Sequence, residues 1–343
     1  MKQLDLSAQE LIDQLAKYGA PPIETLSVGE ARNVPLLDYA ARDLVAAHLT
    51  ARMATVANPM PQQVESVRHR RIPVKDGSIL LRIYKPVGPG PHPILVYFHG
   101  GGWVIANLDT YDSSARALCN AAECIVISVA YRQAPEHKFP TAIEDAYAAT
   151  EWAMANADSL NGNAAQVAVG GESAGGNLAA VVCQMARAQG TTQPVHQLLI
   201  YPVTDLAFFT PSIHEYAHAK PLNAAMLTWF SSHYLKSAEE AAHGYASPLR
   251  ATTLANLPPA TIITAEHDPL RDDGRLYAEA LRDEGVRVTY RNYHGVMHEF
   301  FGMIGLLDQS ADAVNLAAME LGKSFGRNVP ESLMAVDEHF WRA

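Results

Sequence analysis

A single serine, Ser173, stands in a run of small residues, VAVGGESAGGNLAA, which spans residues 167–180. The pattern Gly-x-Ser-x-Gly between a short apolar strand and a helix predicts a sharp, strained turn that presents the hydroxyl as a nucleophile. A side chain at Gly171 or Gly175 would clash with the neighbouring elements, and the N-terminus of the next helix favours negative charge near the hydroxyl. The alternative interpretation is an ordinary tight loop between a strand and a helix.

A base and an acid suited to activate this serine follow it along the chain. The base is assigned to His298 in YHGVMHEFF, after the last predicted strand, and His294 is the alternative, which would order the turn. The acid is assigned to Asp268 in EHDPLRDD, where a strand ends before a proline, and Asp272 is interpreted as a helix cap. The chain order Ser173, Asp268, His298 is typical of one class of Ser-Asp-His hydrolases.

A glycine-rich loop, HGGGW at residues 99–103, follows another apolar strand. A phosphate-binding loop in its common form leads directly into a helix and carries Lys with Ser or Thr, whereas Trp103-Val104-Ile105 follows here. Backbone N–H groups without a Cβ nearby are better suited to stabilise an oxyanion. The sequence therefore predicts acyl transfer by a serine, a reaction for which we expect neither a metal nor an organic cofactor.

These residues need strands and helices that bring them to one place. Short apolar runs alternate with helical stretches, which predicts an α/β fold with a mostly parallel central sheet flanked by helices. A β-hairpin is predicted at residues 64–85, with its turn at Asp76-Gly77. The other predicted strands are Ile94–Phe98, Ile125–Val129, Val167–Val169, Leu198–Tyr201, Thr261–Thr264 and Val286–Arg291. The predicted helices are Thr141–Ala155, Ala174–Ala188, Asp273–Asp283 and Ser310–Lys323.

Four segments are predicted along the chain. Residues 1–60 are helical without a strand, and an insertion at 204–250 has a helical pattern and aromatic residues but no strand. We interpret these two segments as a helical cap above the sheet, and residues 61–203 and 251–343 as the α/β core. In the first helix, Ser7 and Glu10 predict a capping box. The aromatic residues interpreted as the lining of a hydrophobic site under the cap, or else as packing between helices, are Trp103, Phe208, Phe209, Tyr216, Trp229 and Phe230.

Composition and charge narrow the class of partner. The 343 residues carry a net charge of −10, which argues against nucleic acid, because phosphate binding needs a basic surface. No apolar run near the N-terminus is long enough for a signal peptide or a membrane span. The three cysteines fit neither a disulfide framework nor a zinc site, so we expect reduced thiols and a cytoplasmic protein.

With these residues in hand, the sequence resembles the bacterial hormone-sensitive lipase family of α/β-hydrolases, also called family IV esterases. HGGGW resembles the family's HGGG motif, YRQAPEHKFP at residues 131–140 is similar to its YRLAPEHxFP stretch, and the Asp268 and His298 motifs match as well. The resemblance implies an α/β-hydrolase fold with a helical cap and the hydrolysis of short- to medium-chain carboxylic esters through an acyl-enzyme. It makes Ser173 the nucleophile, His298 the general base and Asp268 its partner. The N–H groups that would form the oxyanion hole are those of Gly101, Gly102 and Ala174.

Two positions depart from the family's pattern. Glu172 precedes the serine where the family usually has Asp or Thr, and Glu299 follows the histidine where the family often has Gly. Neither change removes a member of the triad. Family members are often dimers through the sheet edge, so a homodimer is a further expectation.

Other reactions and one other class of protein remain as alternatives. Amidases, lactonases and deacetylases use the same triad. Plant gibberellin receptors bind small molecules and resemble the same family, but they lack the catalytic histidine, whereas this chain retains His298. For an esterase we expect the rate to rise with pH as His298 loses its proton, around its ordinary pKa of about 6.5.

Overall fold

Eight strands form one sheet in the computed structural model, which describes residues 3–51 and 62–327. The strands are β1 (Ser66–Val74), β2 (Gly77–Lys85), β3 (His92–Phe98), β4 (Ile125–Ala130), β5 (Gly162–Glu172), β6 (Gln197–Ile200), β7 (Ala260–His267) and β8 (Val288–Met297). Their order across the sheet is β1-β2-β4-β3-β5-β6-β7-β8. Strand β2 is antiparallel to both of its neighbours, and all other adjacent pairs are parallel. Parts of the predicted segments, at 1–2, 52–61 and 328–343, lie outside the described residues.

The predicted strands and the hairpin are all present, because their residues suit a sheet that is covered on both faces. Every residue of β3 (HPILVYF) and of β7 (ATIITAEH) is buried. The hairpin turns at Asp76, whose φ is 58°. Strand β5 is longer than the predicted Val167–Val169, since residues 163–166 form an irregular stretch whose side chains stay partly or fully exposed. Their composition therefore carries no apolar signal.

Helices cover both faces of the sheet. In chain order, the helices of the described residues are α1 (Leu6–Lys17), α2 (Val28–Ala31), α3 (Leu37–Ala51), α4 (Asp112–Ala121), α5 (Thr141–Asn156), α6 (Ala174–Gln189), α7 (Pro211–Glu215), α8 (Ala224–Tyr234), α9 (Arg271–Asp283) and α10 (Asp308–Ser324). One apolar cluster packs α5, α6 and α9 on the sheet, and a second packs α1, α3, α4 and α10 on the opposite face. The four predicted helices are confirmed, with ends that shift by at most two residues. Helix α4 was not predicted, because its buried side consists mostly of small residues.

The first helices differ from their prediction in one detail of capping. Helix α1 begins at Leu6, so that Ser7 lies inside the helix, and the predicted capping box of Ser7 and Glu10 is wrong. A capping box forms instead at the start of α2. There the Ser27 side chain accepts the backbone N–H of Glu30, and the Glu30 carboxylate accepts the backbone N–H of Ser27.

The N-terminal helices lie next to the segment between β6 and β7. A 3₁₀ turn at Ile23–Thr25 packs against α8, and Asn223 Nδ2 donates a hydrogen bond of 3.2 Å to Glu24 Oε1. Both segments lie beside the carboxyl ends of the central strands, where ligands bind in open α/β sheets. Within the described part of the chain, no helix has the length and apolar character needed to cross a membrane.

Candidate active site

The backbone turn that carries Ser173 is strained. Ser173 has φ 57° and ψ −116° at the junction of β5 and α6. A Cβ at Gly175 would lie 1.9 Å from the carbonyl oxygen of Phe98, and a Cβ at Gly171 would lie 2.5 Å from the same oxygen. The predicted clash at both glycines is confirmed. Their lack of a side chain allows β3, β5 and α6 to approach closely enough to force the turn.

The imidazole of His298 and the carboxylate of Asp268 form a buried pair. His298 Nδ1 lies 2.7 Å from Asp268 Oδ2, and the side chains are 4% and 0% exposed. Asp268 is fixed by the backbone N–H of Leu270, which donates to Oδ1 at 2.8 Å. Burial lowers the pKa of His298, but the Asp268 carboxylate outweighs this effect, and the pKa is raised above its ordinary 6.5. The expected midpoint of the pH dependence therefore moves upward from 6.5.

The alternative histidine and the predicted helix cap have other roles. The His294 side chain is 60% exposed, with Nδ1 3.2 Å from Glu266 Oε2. Helix α9 begins at Arg271, so Asp272 lies inside the helix and the interpretation of Asp272 as its cap is wrong. Asp272 instead accepts the backbone N–H of Ser212 at 3.0 Å and so holds the start of α7.

Ser173 and His298 face the same cavity. The Ser173 N–H donates to the Ile200 carbonyl at 2.9 Å, and the ring of the next residue, Tyr201, lies 4.5 Å from the His298 ring. The side chains of Ser173 and His298 line a cavity of about 240 Å³ together with Gly101 and Gly102. The structure therefore brings the serine, the buried pair and the glycine loop to one edge of the sheet.

The glycine loop adopts backbone conformations that favour glycine. Gly101 has φ +94° and Gly102 has φ +58°. A Cβ at Gly101 would lie 2.2 Å from the Ile105 carbonyl oxygen, and a Cβ at Gly102 would lie 2.2 Å from the Phe230 ring. Ala174 is the first residue of α6, so its N–H has no partner within the helix. The three predicted oxyanion residues thus lie at the glycine loop and the helix N-terminus beside Ser173.

The segment 131–140 supports this loop from behind. Tyr131 Oη donates to the His99 carbonyl at 2.9 Å, and its ring stacks on the His99 ring at 4.4 Å. Gln133 Nε2 donates to the Ile105 carbonyl at 2.7 Å, and the Ala134 N–H donates to the Trp103 carbonyl at 2.9 Å. Burial lowers the pKa of His99 to about 4, so this imidazole stays neutral. The segment therefore has a structural role, and Gln133, which departs from the family's leucine, contributes a hydrogen bond.

Arg32, from the N-terminal segment, holds both loops at once. Its Nε donates to the Val104 carbonyl at 2.9 Å, and one of its terminal nitrogens donates to the Ala134 carbonyl at 2.9 Å. The guanidinium also pairs with both carboxylate oxygens of Glu136 at 2.8 Å. Nothing in the sequence points to this role of Arg32, because an isolated arginine after a short helix matches no motif.

Two glutamates occupy the positions that depart from the family's pattern. Both carboxylate oxygens of Glu172 are hydrogen-bonded, one to Tyr97 Oη and the other to Tyr201 Oη. Burial raises the pKa of Glu172 to about 7. Glu299 Oε1 accepts a hydrogen bond of 2.6 Å from Tyr111 Oη, and burial raises its pKa as well. Both glutamates lie close enough to His298 to help raise the pKa of its imidazole.

The aromatic residues expected to line the cavity divide into two groups. Trp103, which stacks on Tyr234 at 4.2 Å, lines the cavity, and so do Phe208 and Phe230. The other three are not among its lining residues: Tyr216 and Trp229 fit the alternative of packing, and Phe209 fits neither interpretation. Phe209 is 82% exposed, Tyr216 packs on His267 and Arg271, and Trp229 packs on Phe230 and His233.

Aliphatic residues that the sequence analysis missed form much of the cavity wall. They are Ile12 and Leu15 of α1, and Leu222, Met226 and Leu227 at α8. Apolar residues of this kind carry no local motif, because any of several aliphatic side chains can form a cavity wall. In residues 3–51 and 62–327, no group of three or more His, Cys, Asp or Glu side chains is arranged to hold a metal ion.

A mostly parallel sheet with a strained serine turn, a glycine loop and a buried His–Asp pair at one edge defines an α/β-hydrolase. The chain belongs to the α/β hydrolase fold family, which it matches over residues 95–302.

Proteins similar to this chain include ester hydrolases of bacteria and archaea. The chain is 42% identical over 279 residues to the carboxylic ester hydrolase LipN of Mycobacterium tuberculosis. The aligned region covers 80% of this chain and 74% of that protein. It is 35% identical over 249 residues to an arylesterase of Saccharolobus solfataricus, covering 72% of this chain and 81% of that protein. A solved structure of a hyperthermophilic esterase from Pyrobaculum calidifontis matches with a TM-score of 0.83 and 37% identity, over 94% of this chain and 99% of that one.

Proposed function

We propose that this protein hydrolyses carboxylic esters with Ser173 as nucleophile, His298 as general base and Asp268 as the partner of the imidazole. The observation that carries the proposal is the buried His298–Asp268 pair, at 2.7 Å, facing the same cavity as the strained Ser173 turn. The similarity to curated ester hydrolases supports the reaction class.

The first half of the reaction transfers the acyl group to the enzyme. Ser173 Oγ attacks the ester carbonyl carbon while His298 accepts the hydroxyl proton through the ring nitrogen that does not face Asp268. The Asp268 carboxylate holds the imidazole tautomer and stabilises the imidazolium. The imidazolium then gives the proton to the departing alkoxide, which leaves as an alcohol, and an acyl-enzyme remains.

The second half of the reaction uses the same groups with water. His298 removes a proton from water, and the resulting hydroxide attacks the acyl carbon. The proton returns to Ser173 Oγ as the carboxylic acid leaves. In both halves the N–H groups of Gly101, Gly102 and Ala174 would receive the oxyanion, and the loss of one such donor typically costs about 3 kcal/mol of transition-state stabilisation.

Release of p-nitrophenol from p-nitrophenyl butyrate by the Ser173→Ala variant tests this proposal. We expect kcat to fall by about 10⁶-fold, because the nucleophile of a triad accounts for most of the rate. Ser232→Ala, which removes an exposed hydroxyl on α8, is the matched control and should keep the parental rate. Turnover by Ser173→Ala within tenfold of the parent would contradict the assignment.

Rate measurements with other classes of substrate separate the alternative reactions. Matched ester and amide substrates distinguish an esterase from an amidase, and the corresponding lactones and acetylated substrates test the other two reactions. The absence of turnover of every substrate, together with tight binding of a small molecule, would point to a non-catalytic binder.

The cavity supports a preference for short- to medium-chain esters. Its volume of about 240 Å³ is below the range of about 300–1,000 Å³ that is usual for ligand pockets, and helices roof it. A series of p-nitrophenyl esters from acetyl to palmitoyl tests this preference. We expect the maximum of kcat/KM at the short end, and a maximum at palmitoyl would contradict it.

Three further expectations, on the cap, the oligomeric state and the location in the cell, accompany this proposal. Residues 1–60 and 204–250 would act as the cap and the remaining residues as the core, in support of which both segments contribute to the cavity wall. A homodimer would form through an edge of the sheet, which size-exclusion chromatography with light scattering tests. A cytoplasmic location would suit three buried cysteines without a disulfide, and fractionation of the source cells tests it.

A further inference from the structure

Glu299 has an unusual backbone conformation for its residue type. It directly follows His298 and has φ 72° and ψ 4°, in the left-handed region. Glycine adopts this region freely, whereas a residue with a Cβ is strained there. Such strain persists only where the surrounding structure determines it, and it is frequent at functional sites.

The side chain of Glu299 connects two parts of the candidate site. Its carboxylate accepts a hydrogen bond of 2.6 Å from the hydroxyl of Tyr111. The same hydroxyl lies against the glycine loop, because a Cβ built at Gly100 would be 2.3 Å from it. Gly100 directly precedes Gly101. One hydrogen bond thus joins the turn after β8, which carries His298, to the loop that carries the oxyanion-hole glycines.

The side chain of Tyr111 is held firmly in place. It is buried, at 3% exposure, and it stands immediately before α4, which packs on the sheet. Its ring also lies 6.0 Å from the ring of His99, the first residue of the glycine loop. A side chain held on several sides fixes both the glutamate and the loop that it contacts.

We propose that Glu299 is a positioning residue which, through the Tyr111 hydroxyl, sets the distance between the imidazole of His298 and the oxyanion-hole loop. This inference rests on the proposed function of the triad and goes beyond it, since Glu299 does not take part in bond making or proton transfer. The two components act in the same transition state, so an error of about 1 Å in their separation costs about 100-fold in rate.

The charge of Glu299 adds a second effect that can be measured separately. The titratable groups that face the imidazole are Asp268 from the turn after β7, Glu172 from the end of β5, Tyr201 from the end of β6 and Glu299 itself. Asp38 of α3 in turn faces Glu299. Negative charge from Glu299 favours the imidazolium, so its removal lowers the pKa of His298.

Three variants separate the hydrogen bond from the charge. Glu299→Leu removes both the bond and the charge, Tyr111→Phe removes only the bond, and Glu299→Gln keeps an acceptor for Tyr111 but removes the charge. We expect Glu299→Leu and Tyr111→Phe to lower kcat at least tenfold with KM within about twofold. Glu299→Gln should restore kcat at the alkaline plateau and shift the acid limb of kcat/KM to lower pH.

The double variant Glu299→Leu/Tyr111→Phe completes the test. Because both substitutions break the same link, we expect its kcat to be no lower than that of the worse single variant. Tyr111→Phe removes one oxygen atom, and we expect its thermal unfolding midpoint to stay close to that of the parent. Glu279→Gln, at an exposed pair with Arg275 on α9, is the matched control.

Two results would overturn the positioning role. One is a kcat within twofold of the parent for both Glu299→Leu and Tyr111→Phe, and the other is additive losses in the double variant. Either result, combined with an inactive Ser173→Ala variant, would leave the proposed ester hydrolysis intact. Retained turnover by Ser173→Ala would instead contradict the triad itself.

Discussion

The edge of the sheet that carries Ser173 and the helices that roof the cavity are built in different ways. At the edge, backbone meets backbone, as where a Cβ at Gly175 would lie 1.9 Å from the Phe98 carbonyl oxygen. In the roof, short helices meet through side chains, and a Cβ at Gly29 of α2 would have no atom within 4 Å. The backbone contacts around Ser173 therefore leave no room for an added side chain. The side-chain contacts of the roof leave room for substitution.

Short sequence motifs form at the edge of the sheet and not in the roof of the cavity, for a physical reason. Close backbone contacts allow only glycine, and a proton relay allows only a few side chains, so the edge has short, recognisable motifs. A cavity wall can be built from any apolar residue of suitable size. Paired substitutions test this difference between the edge of the sheet and the roof of the cavity.

The largest difference is expected from the acid of the triad. Asp268→Asn keeps the size of the side chain but allows the wrong imidazole tautomer, so kcat should fall by about 10⁴-fold. Initial rates with p-nitrophenyl butyrate measure the loss. Asp272→Asn, four residues further on in α9, is the control and should keep kcat within a few-fold of the parent. Equal losses in the two variants would show that Asp268 acts only through the fold.

A methyl group added to a glycine should have opposite effects in the two regions. Gly175→Ala forces a Cβ against the Phe98 carbonyl, and we expect the free energy of unfolding to fall by about 3 kcal/mol. Gly29→Ala adds the same group to open space in a helix and should raise stability by up to about 1 kcal/mol. Chemical denaturation measures both values. A Gly175→Ala variant as stable as the parent would contradict the close contact at the serine turn.

Two adjacent phenylalanines provide a smaller comparison within the roof. Phe208 lines the cavity, whereas Phe209 is 82% exposed. Phe208→Ala removes apolar contacts with the substrate, and we expect kcat/KM for the butyrate ester to fall by about tenfold. Phe209→Ala should leave it unchanged, and a loss of the same size in both variants would contradict the assignment of the wall.

The smallest effect concerns the pH dependence of the parent enzyme. Catalysis needs the neutral imidazole, and the carboxylate of Asp268 raises the pKa of His298 above 6.5. Activity is therefore lost as the pH falls through that raised pKa. At pH 6.5 we expect kcat/KM below half of its alkaline plateau. A profile that is already flat at pH 6.5 would show that burial, rather than the carboxylate, dominates the environment of His298.

Much of the fold was predictable from the sequence, and for a physical reason. Fully buried parallel strands such as β3 and β7 need short, continuous apolar runs, which are recognisable in the sequence. Helix α4 was missed because alanine and serine suffice to cover its close contact with the sheet. The polar part of β5 was missed because its side chains stay near the surface.

Residues of the candidate site were predictable to different degrees. The strained Ser173 turn has a local motif, and His298 with Asp268 follow predicted strands. The contributions of Arg32, Tyr111 and the acids beside the triad arise from contacts between residues far apart in the chain, which no short pattern reveals. The sequence left two roles open for Tyr216 and Trp229, because an aromatic residue in a helix carries no information about the direction that its ring faces.

Through Arg32, the N-terminal segment stabilises the glycine loop in addition to forming part of the cavity wall. Its guanidinium donates hydrogen bonds to the carbonyl of Val104, which follows the glycine loop, and to the carbonyl of Ala134, in the segment that supports this loop. Proteolytic removal of the first forty residues would take away part of the cavity wall and, at the same time, free the carbonyl groups of Val104 and Ala134 next to the glycine loop. The shortened enzyme should then be slower toward small and large esters alike, since the lost hydrogen bonds would loosen the loop that holds the oxyanion donors.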